Sequence, residues 1–421
     1  MPIVDGLALR ARRVAVDPGA SGAIVAVMAE PTRFDVRRVR LRHYRSIARC
    51  DVNLGPLTLL VGPNGSGKSN FVDSLRLVSQ ALDQSLDNAL RERGGAGEVR
   101  RRSTGHPTHS RIELDFVGPD FSGNYSFQIA AVRGGDYRVS HEECVVHGTG
   151  FGSEPAYFRV RDGDLESSLR VRLPAPPSDR LYLTLASAVD EFRAVFDGLS
   201  SINVFNLNPG LMREPQKPDA GDLLRRDGAN VASVLEYLRR TTPATKSKIE
   251  DYLRAIVPGV TSADRTALGS YESVEFRQSV AGADAPWLFP ATSMSDGTLR
   301  ALGVLVALFA PAGGSYSPIG IEEPETALHP AAAGLLMEAL MVASNQRQVI
   351  ATSHSPELLD TPALTAQSIV AVRAERGVTQ LGPLDAASSA ALRSSLYTAG
   401  ELLRVDQLQP AAEGVQMELF E

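Results

Sequence analysis

Residues 59–70, LLVGPNGSGKSN, decide the fold of this chain. They contain the pattern G-x-x-x-x-G-K-[ST], in which glycine-rich backbone N–H groups and the start of the next helix face a phosphate group. The apolar residues 56–61 predict a buried strand before the loop. Apolar residues at helical spacing predict a helix after it, namely Phe71, Leu75, Val78 and Leu82. We therefore expect a strand, a phosphate-binding loop and a helix, in that order.

Each part of this loop has an expected role. The residues predicted to contact the nucleotide are Gly62, Asn64, Gly65, Ser66, Gly67, Lys68, Ser69 and Asn70. Lys68 would reach the β- and γ-phosphates, and the Ser69 hydroxyl would bind Mg²⁺. A glycine-rich turn with a stray lysine would share the pattern, but the strand before it and the helix after it favour a nucleotide site.

Composition excludes several classes of protein. The chain has 421 residues, of which 43% are hydrophobic and 22% charged, as in a globular protein with two or three structural units. Its formal net charge of −6 means that any contact with nucleic acid must come from a local patch. Its two cysteines, Cys50 and Cys144, argue against a disulfide framework or a zinc ribbon. With no apolar run near the ~20 residues of a membrane helix, we expect a cytoplasmic protein without a membrane partner.

Shifts in pattern along the chain predict five segments. Strand-like alternation and the phosphate-binding loop fall in a first lobe, and prolines mark a linker after it. Helical periodicity follows, and the remaining motifs lie in a second lobe. The predicted boundaries are an N-terminal extension at 1–35, the first lobe at 36–173, a helical insert at 174–265, the second lobe at 266–410 and a tail at 411–421.

Two acidic residues end a second apolar strand, in residues 318–325, PIGIEEPE. Hydrolysis of a nucleotide needs one carboxylate for Mg²⁺ and another to polarise water, and we expect both beside the phosphate-binding strand. Glu322 would hold Mg²⁺ through water, and Glu323 would be the catalytic base. An exposed acidic turn is the simpler interpretation, but residues 349–353 predict another strand that ends in a polar loop with His354.

A second anion-binding helix start follows Ser295 and Gly297, at the beginning of an apolar helix. One nucleotide per chain needs only one anion-binding helix start, so the second would bind the nucleotide of a partner chain. The alternative is that these residues only cap the helix, because a plain helix cap has the same sequence. The arginines at 100–102 belong either to a solvated loop or to a phosphate contact. The spacing of His141, Cys144 and His147 suggests a metal site, which the lack of a partner cluster disfavours.

The ordered set GPNGSGKS, MSDGT, IEEPE with LHP, and TSHS resembles the ABC-type ATPase heads of the RecF, SMC and OLD class. Residues 37–410 are similar to stand-alone bacterial AAA-labelled predicted ATPases of that class, with further support from the segments RSTGHP at 102–107, RDGAN at 226–230 and YTAGELL at 397–403. The resemblance implies an α/β fold. It would be a P-loop NTPase with an ABC-ATPase-like head, in which helices flank a mixed sheet, with an antiparallel β subdomain and a helical insert.

The resemblance also implies roles for individual residues. Lys68 and Ser69 match the P-loop lysine and the magnesium hydroxyl, and Glu322 and Glu323 match the Walker B pair. The remaining matches are Ser295 and Gly297 with the signature, His354 with the switch histidine that senses the γ-phosphate, and Arg45 with a basic position near the nucleotide.

The function implied is an ATPase whose two heads close as a homodimer, or a higher oligomer, around two ATP molecules. Such a protein would act as a switch or clamp, on DNA in its maintenance or in phage defence. The alternative is an ATP-gated scaffold for a separately encoded nuclease or toxin effector. Nuclease activity of the chain itself is disfavoured, because no Glu with an Asp-x-Asp set follows His354.

Overall fold

The computed structural model describes residues 33–103, 107–132, 136–148, 154–169, 174–311, 316–361 and 363–411. The predicted N-terminal extension at 1–35 lies outside the described residues except for its last three. The predicted tail at 411–421 lies outside them except for residue 411.

One large mixed sheet organises the fold, with the strand order β8-β7-β6-β5-β4-β1-β2-β16-β15-β3-β14-β13-β9. A small sheet has the order β10-β11-β12. The strands are β1 (Asp35–Tyr44), β2 (Ile47–Asn53), β3 (Leu57–Val61), β4 (His109–Val117), β5 (Phe121–Ala131), β6 (Tyr137–Gly148), β7 (Ala156–Arg161), β8 (Asp164–Ser167), β9 (Asn203–Phe205), β10 (Val260–Leu268), β11 (Tyr271–Gln278), β12 (Trp287–Pro290), β13 (Ile319–Glu322), β14 (Val349–Ser353), β15 (Ile369–Glu375) and β16 (Val378–Pro383).

The centre of the large sheet is parallel. β3 lies between β14 and β15 and runs parallel to both, and β13 continues the parallel order between β14 and β9. All five residues of β3 and of β14 are buried, as expected of parallel strands that are covered on both faces. The carboxyl ends of β3, β14 and β13 therefore meet at one edge of the sheet.

The other end of the sheet is an antiparallel wing of β2, β1, β4, β5, β6, β7 and β8. Burial alternates strictly along β4, so one face of the wing packs on the core and the other faces solvent. Together with the parallel centre, this wing confirms the predicted mixed α/β fold with an antiparallel subdomain.

Helices cover both faces of the parallel centre of the sheet, and the buried side chains form two cores. Leu59 of β3 belongs to one core and its neighbour Leu60 to the other, because successive strand residues point to opposite faces. The helices are α1 (Lys68–Asp83), α2 (Leu86–Arg91), α3 (Ala96–Val99), α4 (Leu183–Ala186), α5 (Asp190–Ser200), α6 (Pro209–Arg213), α7 (Val231–Thr241), α8 (Pro243–Ile256), α9 (Asp296–Phe309), α10 (Ala333–Ser344), α11 (Pro356–Leu359), α12 (Ala386–Arg393) and α13 (Ala399–Arg404), with single 3-10 turns at Ala291–Ser293, Pro330–Ala332 and Ala366–Ser368.

The segment predicted as one helical insert, 174–265, is divided between these two cores. Helix α5 contributes Phe192 to the core that contains α1, whereas α7 and α8 contribute Leu235 and Ile249 to the core that contains α9. Between them, β9 forms the last strand of the large sheet, parallel to β13. Helical periodicity identified the buried faces of these helices but not the cores that they join.

None of the helices in the described ranges combines the length and the apolar character needed to cross a membrane.

Candidate functional site

The predicted phosphate-binding loop connects β3 to α1 and needs glycine at two positions. A Cβ atom on Gly62 would lie 2.0 Å from the carbonyl oxygen of Val372. Gly67, the N-cap of α1, has a φ of 102°, and a Cβ there would lie 2.1 Å from the Thr379 hydroxyl. The loop is thus pressed against β15 and β16, and its open side faces away from the sheet at the positive end of the α1 dipole.

Lys68 lies over this loop. Its side chain is largely buried, with the residue 4% exposed, and its Nζ donates to the carbonyl oxygens of Gly62 (2.7 Å) and Pro63 (3.0 Å). Burial lowers the pKa of Lys68, while the nearby Glu323 and Glu325 carboxylates raise it. The ammonium group is therefore placed between the loop and the acidic residues that follow β13.

The loop has the features of a phosphate site. The Ser66 hydroxyl is buried without a hydrogen-bond partner in the described part of the chain, and a Cβ on Gly65 would meet only open space. An unsatisfied buried hydroxyl, the backbone N–H groups of a helix start and a buried ammonium suit a multiply charged anion.

Ser69 and Glu322 provide oxygen ligands suited to Mg²⁺. The Ser69 hydroxyl hydrogen-bonds to the Glu322 carboxylate, which brings the two predicted magnesium ligands together. Burial raises the pKa of Glu322, and the bond from Ser69 opposes that shift. Mg²⁺ prefers hard oxygen ligands and retains several waters, so a hydroxyl and one carboxylate fit it.

Glu323 and His354 face each other at the carboxyl ends of β13 and β14. The Oε1 atom of Glu323 lies 3.5 Å from Nδ1 of His354, and their side chains are 37% and 39% exposed. Both residues line a cavity of about 370 Å³. The Glu323 backbone has a φ of 45° and is held at its N–H by the carbonyl oxygen (3.2 Å) and the hydroxyl (3.1 Å) of Thr352. The Glu323 backbone is thus strained, and its carboxylate lies beside an imidazole and is open to water. A carboxylate in this position can accept a proton from a water molecule.

The sequence had led us to expect the acidic strand β13 directly beside β3. That expectation was wrong, because β14 lies between the two strands. Glu322 of β13 pairs with Thr352 of β14, and Thr352 pairs with Leu60 of β3. The acids and the phosphate-binding loop are therefore level at the same sheet edge. Chain order alone does not reveal which strand lies between two others.

Ser295 is the N-cap of α9, and its hydroxyl accepts from the Thr298 N–H at 3.2 Å. Arg213 of α6 holds the turn before α9 through the Met294 carbonyl oxygen (3.1 Å) and the Asp296 carboxylate (2.5 Å). The signature residues thus form a fixed helix start, and the role predicted for Ser295 and Gly297 toward a partner remains a prediction.

Arg45 is tied to α1 rather than to the loop itself. Its Nη2 atom lies 3.0 Å from the Asp73 carboxylate, which also accepts from the Tyr44 hydroxyl (2.7 Å) and from Arg93. Asp73 lies one helical turn after Ser69. A contact between Arg45 and the nucleotide remains a prediction.

The site includes residues that the motifs did not reveal. The Ser353 hydroxyl donates to buried Glu325 at 2.6 Å, and the His354 N–H reaches the same oxygen at 3.3 Å. Thr379 of β16 donates to the carbonyl oxygen of Ser66 at 2.9 Å. Glu325 lies within the acidic motif and could have been found from it. Thr379 has no sequence signal, because it lies 313 residues from Ser66.

The residues of the suggested metal cluster do not share one face of the wing. Cys144 is buried in the core, whereas His141 lies on the outer face of β6 and His147 is exposed. A strand places residues three apart on opposite faces, which explains the separation.

Comparison with known proteins identifies the family. Residues 57–360, more than half of the chain, match the family described as AAA domain, putative AbiEii toxin, Type IV TA system. The chain belongs to this AAA family. The match begins at the first residue of β3 and includes the acids after β13 and the His354 loop, so this AAA domain contains every predicted site residue except Arg45.

Two relatives of this AAA domain have names that refer to a nuclease and to DNA replication and repair. The OLD nuclease of Thermus scotoductus is 25% identical over 363 residues, which are 80% of this chain and 62% of that protein. The DNA replication and repair protein RecF of Magnetococcus marinus is 34% identical over 89 residues, which are 19% of this chain and 22% of RecF. This AAA domain therefore spans less than two thirds of the length of either relative.

Solved structures share the fold. An Smc head bound to the C-winged helix domain of ScpA has a TM-score of 0.52 at 13% identity, covering 84% of this chain and 99% of that chain. An Smc head with an extended coiled coil, bound to the C-terminal domain of ScpA from Pyrococcus furiosus, has a TM-score of 0.50 at 13% identity, covering 86% and 99%. With the family match, these likenesses make this AAA domain an ABC-type ATPase of the RecF, SMC and OLD class.

Proposed function

We propose that this chain binds ATP with Mg²⁺ and hydrolyses it to ADP and phosphate. The observation that carries the proposal is the convergence of Lys68, Ser69 with Glu322, and Glu323 with His354 at one sheet edge. The loop would bind the β- and γ-phosphates through its N–H groups and the Lys68 ammonium. Mg²⁺, held through Ser69 and Glu322, would neutralise phosphate charge.

Glu323 would act as the general base. Its carboxylate would accept a proton from a water molecule, whose oxygen then bonds to the γ-phosphorus while the bond to the β-phosphate oxygen breaks. His354, 3.5 Å from Glu323, would keep that carboxylate in place and hydrogen-bond to the γ-phosphate. Lys68 would stabilise the negative charge that develops on the phosphate oxygens.

Ser295 and Gly297 support a closed homodimer. Helix α9 begins with a capped, fixed turn, and one nucleotide per chain leaves this second helix start available to a partner. In the proposed dimer, two heads close face to face, and each ATP lies between the loop of one chain and Ser295 of the other.

A row of residues that includes four arginines and no acid supports duplex DNA as the object of this clamp. Residues that pair directly across the outer face of the wing form what we call the arginine row, consisting of Arg49, Arg42, Arg111, Gln128, His141 and Arg161. At about 4.8 Å per strand, the row extends about 24 Å. The row itself has no carboxylate before Asp164 of β8, although Glu113 of the next row lies 3.6 Å from Arg111.

The next row of the same face shows that this charge pattern is unusual. This row mixes both signs, and each of its arginines lies beside a carboxylate. It consists of Asp51, Arg40, Glu113, Ser126, Glu143 and Arg159, and Arg40 forms an ion pair with Glu113. Like charges directly opposite on a sheet are destabilising, so three arginines side by side in a chain of net charge −6 favour a polyanionic partner. The backbone of duplex DNA presents such a line of phosphates. We propose that closure of the dimer on DNA serves genome maintenance or phage defence.

The mass of Glu323→Gln protein in solution tests this function. We expect ATP with Mg²⁺ to double the mass measured by light scattering, because the variant binds but does not hydrolyse ATP, and Ser295→Arg to abolish the doubling. A mass that does not depend on ATP would contradict the shared nucleotide sites. If Glu323→Gln retained full biological activity, the ATP-gated scaffold for a separate effector would replace the cycling clamp.

A further inference from the structure

Arg300 connects the signature helix to the acidic turn within one chain. It lies in the second turn of α9, five residues after Ser295, and is 8% exposed. Its Nη1 donates to the Leu207 carbonyl oxygen at 2.7 Å and its Nη2 to that of Glu322 at 2.9 Å. Nη2 and Nε also reach the carbonyl oxygen of Glu323, at 3.0 and 3.2 Å. The guanidinium thus holds the backbone of both Glu322 and Glu323 through their carbonyl oxygens.

A second contact fixes the start of α9 to the same turn. A Cβ atom on Gly297 would lie 2.3 Å from the carbonyl oxygen of Ala327, so the helix backbone packs directly on the turn after Glu323. Ala327 has a φ of 65°, and Glu323 one of 45°. Non-glycine residues in this region of φ are strained, and they persist only where their surroundings hold them. Here Arg300 holds the carbonyl oxygen of Glu323, and Thr352 holds its N–H.

We propose that Arg300 couples the two ATP sites of the dimer. Through Arg300, the position of Glu323 beside the ATP of its own chain depends on the contact between Ser295 of that chain and the ATP of the partner. The proposal rests on the head-to-head closure described above. Ser295 and Arg300 lie on one rigid helix, so a phosphate that fixes the start of α9 also fixes the guanidinium. Because that guanidinium sets the backbone of Glu323, it is a positioning residue for the base.

The chemistry of Arg300 is costly for a purely structural residue. Its hydrogen bonds in the described part of the chain all go to backbone carbonyl oxygens, which do not neutralise its charge. Burial lowers the pKa of Arg300, and the carboxylates of Glu323, Glu325 and Glu322 only partly oppose that shift. Desolvation of the guanidinium opposes the stability gained from these hydrogen bonds, although removing it would leave the carbonyl oxygens without a donor. Several carbonyl oxygens from different segments, however, can be held together only by a forked donor.

Mixed dimers provide the decisive experiment. Wild-type chain is titrated with an excess of Lys68→Ala chain, which lacks a working loop but retains Ser295, and ATP hydrolysis is measured per wild-type chain. In such a dimer the wild-type chain binds ATP in its own loop, and Ser295 of the Lys68→Ala chain lies beside that ATP. Ser295 of the wild-type chain faces the loop of the Lys68→Ala chain, which holds no nucleotide. We expect hydrolysis to fall by at least about tenfold, comparable to the loss of one oriented catalytic interaction.

The same titration is repeated with Arg300→Met in the chain that binds ATP. Its hydrolysis should start at least about tenfold below wild type and change less than about twofold with excess Lys68→Ala chain, because the coupling is already absent. Binding of a fluorescent ATP analogue, measured without Mg²⁺ so that Glu322 does not contribute, should stay within about twofold of wild type, since the hydrogen bonds of Arg300 do not reach residues 62–69. If Arg300→Met and wild type respond equally to the excess chain, Arg300 does not couple the sites.

Arg347→Met is the matched control. Arg347 is also buried and donates to a backbone carbonyl oxygen of α9, but to Ala307 near the other end of the helix (2.8 Å). We expect this variant to melt at a lower temperature and to retain the wild-type response to the Lys68→Ala chain. The same response in both variants would show a general effect of loosening α9 and would overturn the proposal.

Arg300→Lys extends the test in case Arg300→Met does not fold. Lysine keeps the charge but cannot span three carbonyl oxygens as a fork does, so the response to the Lys68→Ala chain should still be lost. A wild-type response from Arg300→Lys would contradict the proposal. Failure of Glu323→Gln protein to double its mass with ATP would instead refute the closed dimer itself, and the two failures are therefore distinguishable.

Discussion

The hydroxyl of Thr379 donates a 2.9 Å hydrogen bond to the carbonyl oxygen of Ser66, in the middle of the phosphate-binding loop. Ser46 lies 2.7 Å from the same hydroxyl and accepts from the Asn70 amide at 2.6 Å. Strand β16 and the turn between β1 and β2 thus hold the loop from outside, through residues far apart in the sequence.

Thr379→Val should weaken nucleotide binding. The substitution removes two hydrogen bonds that shape the loop but keeps the side-chain volume. At about 1 kcal/mol for each bond, we expect the dissociation constant of ATP to rise at least about tenfold. Calorimetric titration measures it, and Thr261→Val, which removes a hydroxyl from the small sheet, is the control. Equal affinities for Thr379→Val and wild type would show that the loop holds its shape unaided.

Glu325→Ala should slow hydrolysis and spare dimer formation. Glu325 accepts from the Ser353 hydroxyl and the His354 N–H, so its loss frees the loop that places His354. We expect kcat to fall about tenfold or more while ATP still doubles the mass of the protein. The control is Glu338→Ala, on the exposed side of α10. An unchanged kcat would mean that His354 keeps its position without Glu325.

Arg42→Gln combined with Arg49→Gln should reduce the salt dependence of DNA binding. Each phosphate contact contributes about 0.9 to the slope of log K against log salt concentration, so two lost contacts should lower the slope by about 1.8. Fluorescence anisotropy with a duplex of random sequence, at several salt concentrations, measures it.

The control for the arginine row removes the same charge from neighbouring positions. Arg38 and Arg40 pair with Asp51 and with Glu113 and Asp115, so Arg38→Gln with Arg40→Gln should leave the slope nearly unchanged. If both double variants lose the same slope, net charge rather than the arginine row determines binding.

Glu142 should make stability depend on pH near neutrality. It is buried in β6, and burial raises its pKa to about 7, although it accepts from the N–H groups of Tyr182 and Leu183 and from the Tyr125 hydroxyl. Between its ordinary pKa of 4.5 and 7, the folded state binds more protons than the unfolded state. The stabilisation from protonated Glu142 is therefore complete below pH 4.5 and is lost as the pH rises through 7, by about 3 kcal/mol in all.

Urea denaturation between pH 4.5 and 8 tests this prediction. The free energy of unfolding should fall as the pH rises in wild type, and it should fall less steeply in Glu142→Gln. The test compares these slopes and not the stabilities at one pH, because the amide of Gln offers one acceptor oxygen instead of two and changes stability at every pH. Glu166→Gln, on the edge strand β8, is the control. Parallel curves for wild type and Glu142→Gln would assign the pH dependence to other groups.

Local features of this protein could be predicted from its sequence. The loop at 62–69, the acids at 322 and 323 and the helix start at 295 each depend on neighbouring residues, and the structure places them as strand ends and helix starts. Three features could not be predicted, because they depend on contacts between distant segments. They are the position of β14 between β3 and β13, the hydrogen bond from Thr379 to the loop and the hydrogen bonds of the buried Arg300 guanidinium. The division of the segment at 174–265 between two cores could not be predicted for a similar reason, since periodicity identifies an apolar face but not its partner.

The position of β3 in the large sheet has a consequence for biosynthesis. The strand, at residues 57–61, is synthesised long before its two neighbours, which are residues 349–353 and 369–371. While the ribosome is still adding the intervening residues, the Walker-type loop has no sheet beneath it, and both edges of an apolar strand are exposed. The nascent chain should therefore be unable to form the phosphate-binding loop as described until residues 369–371 have left the ribosome.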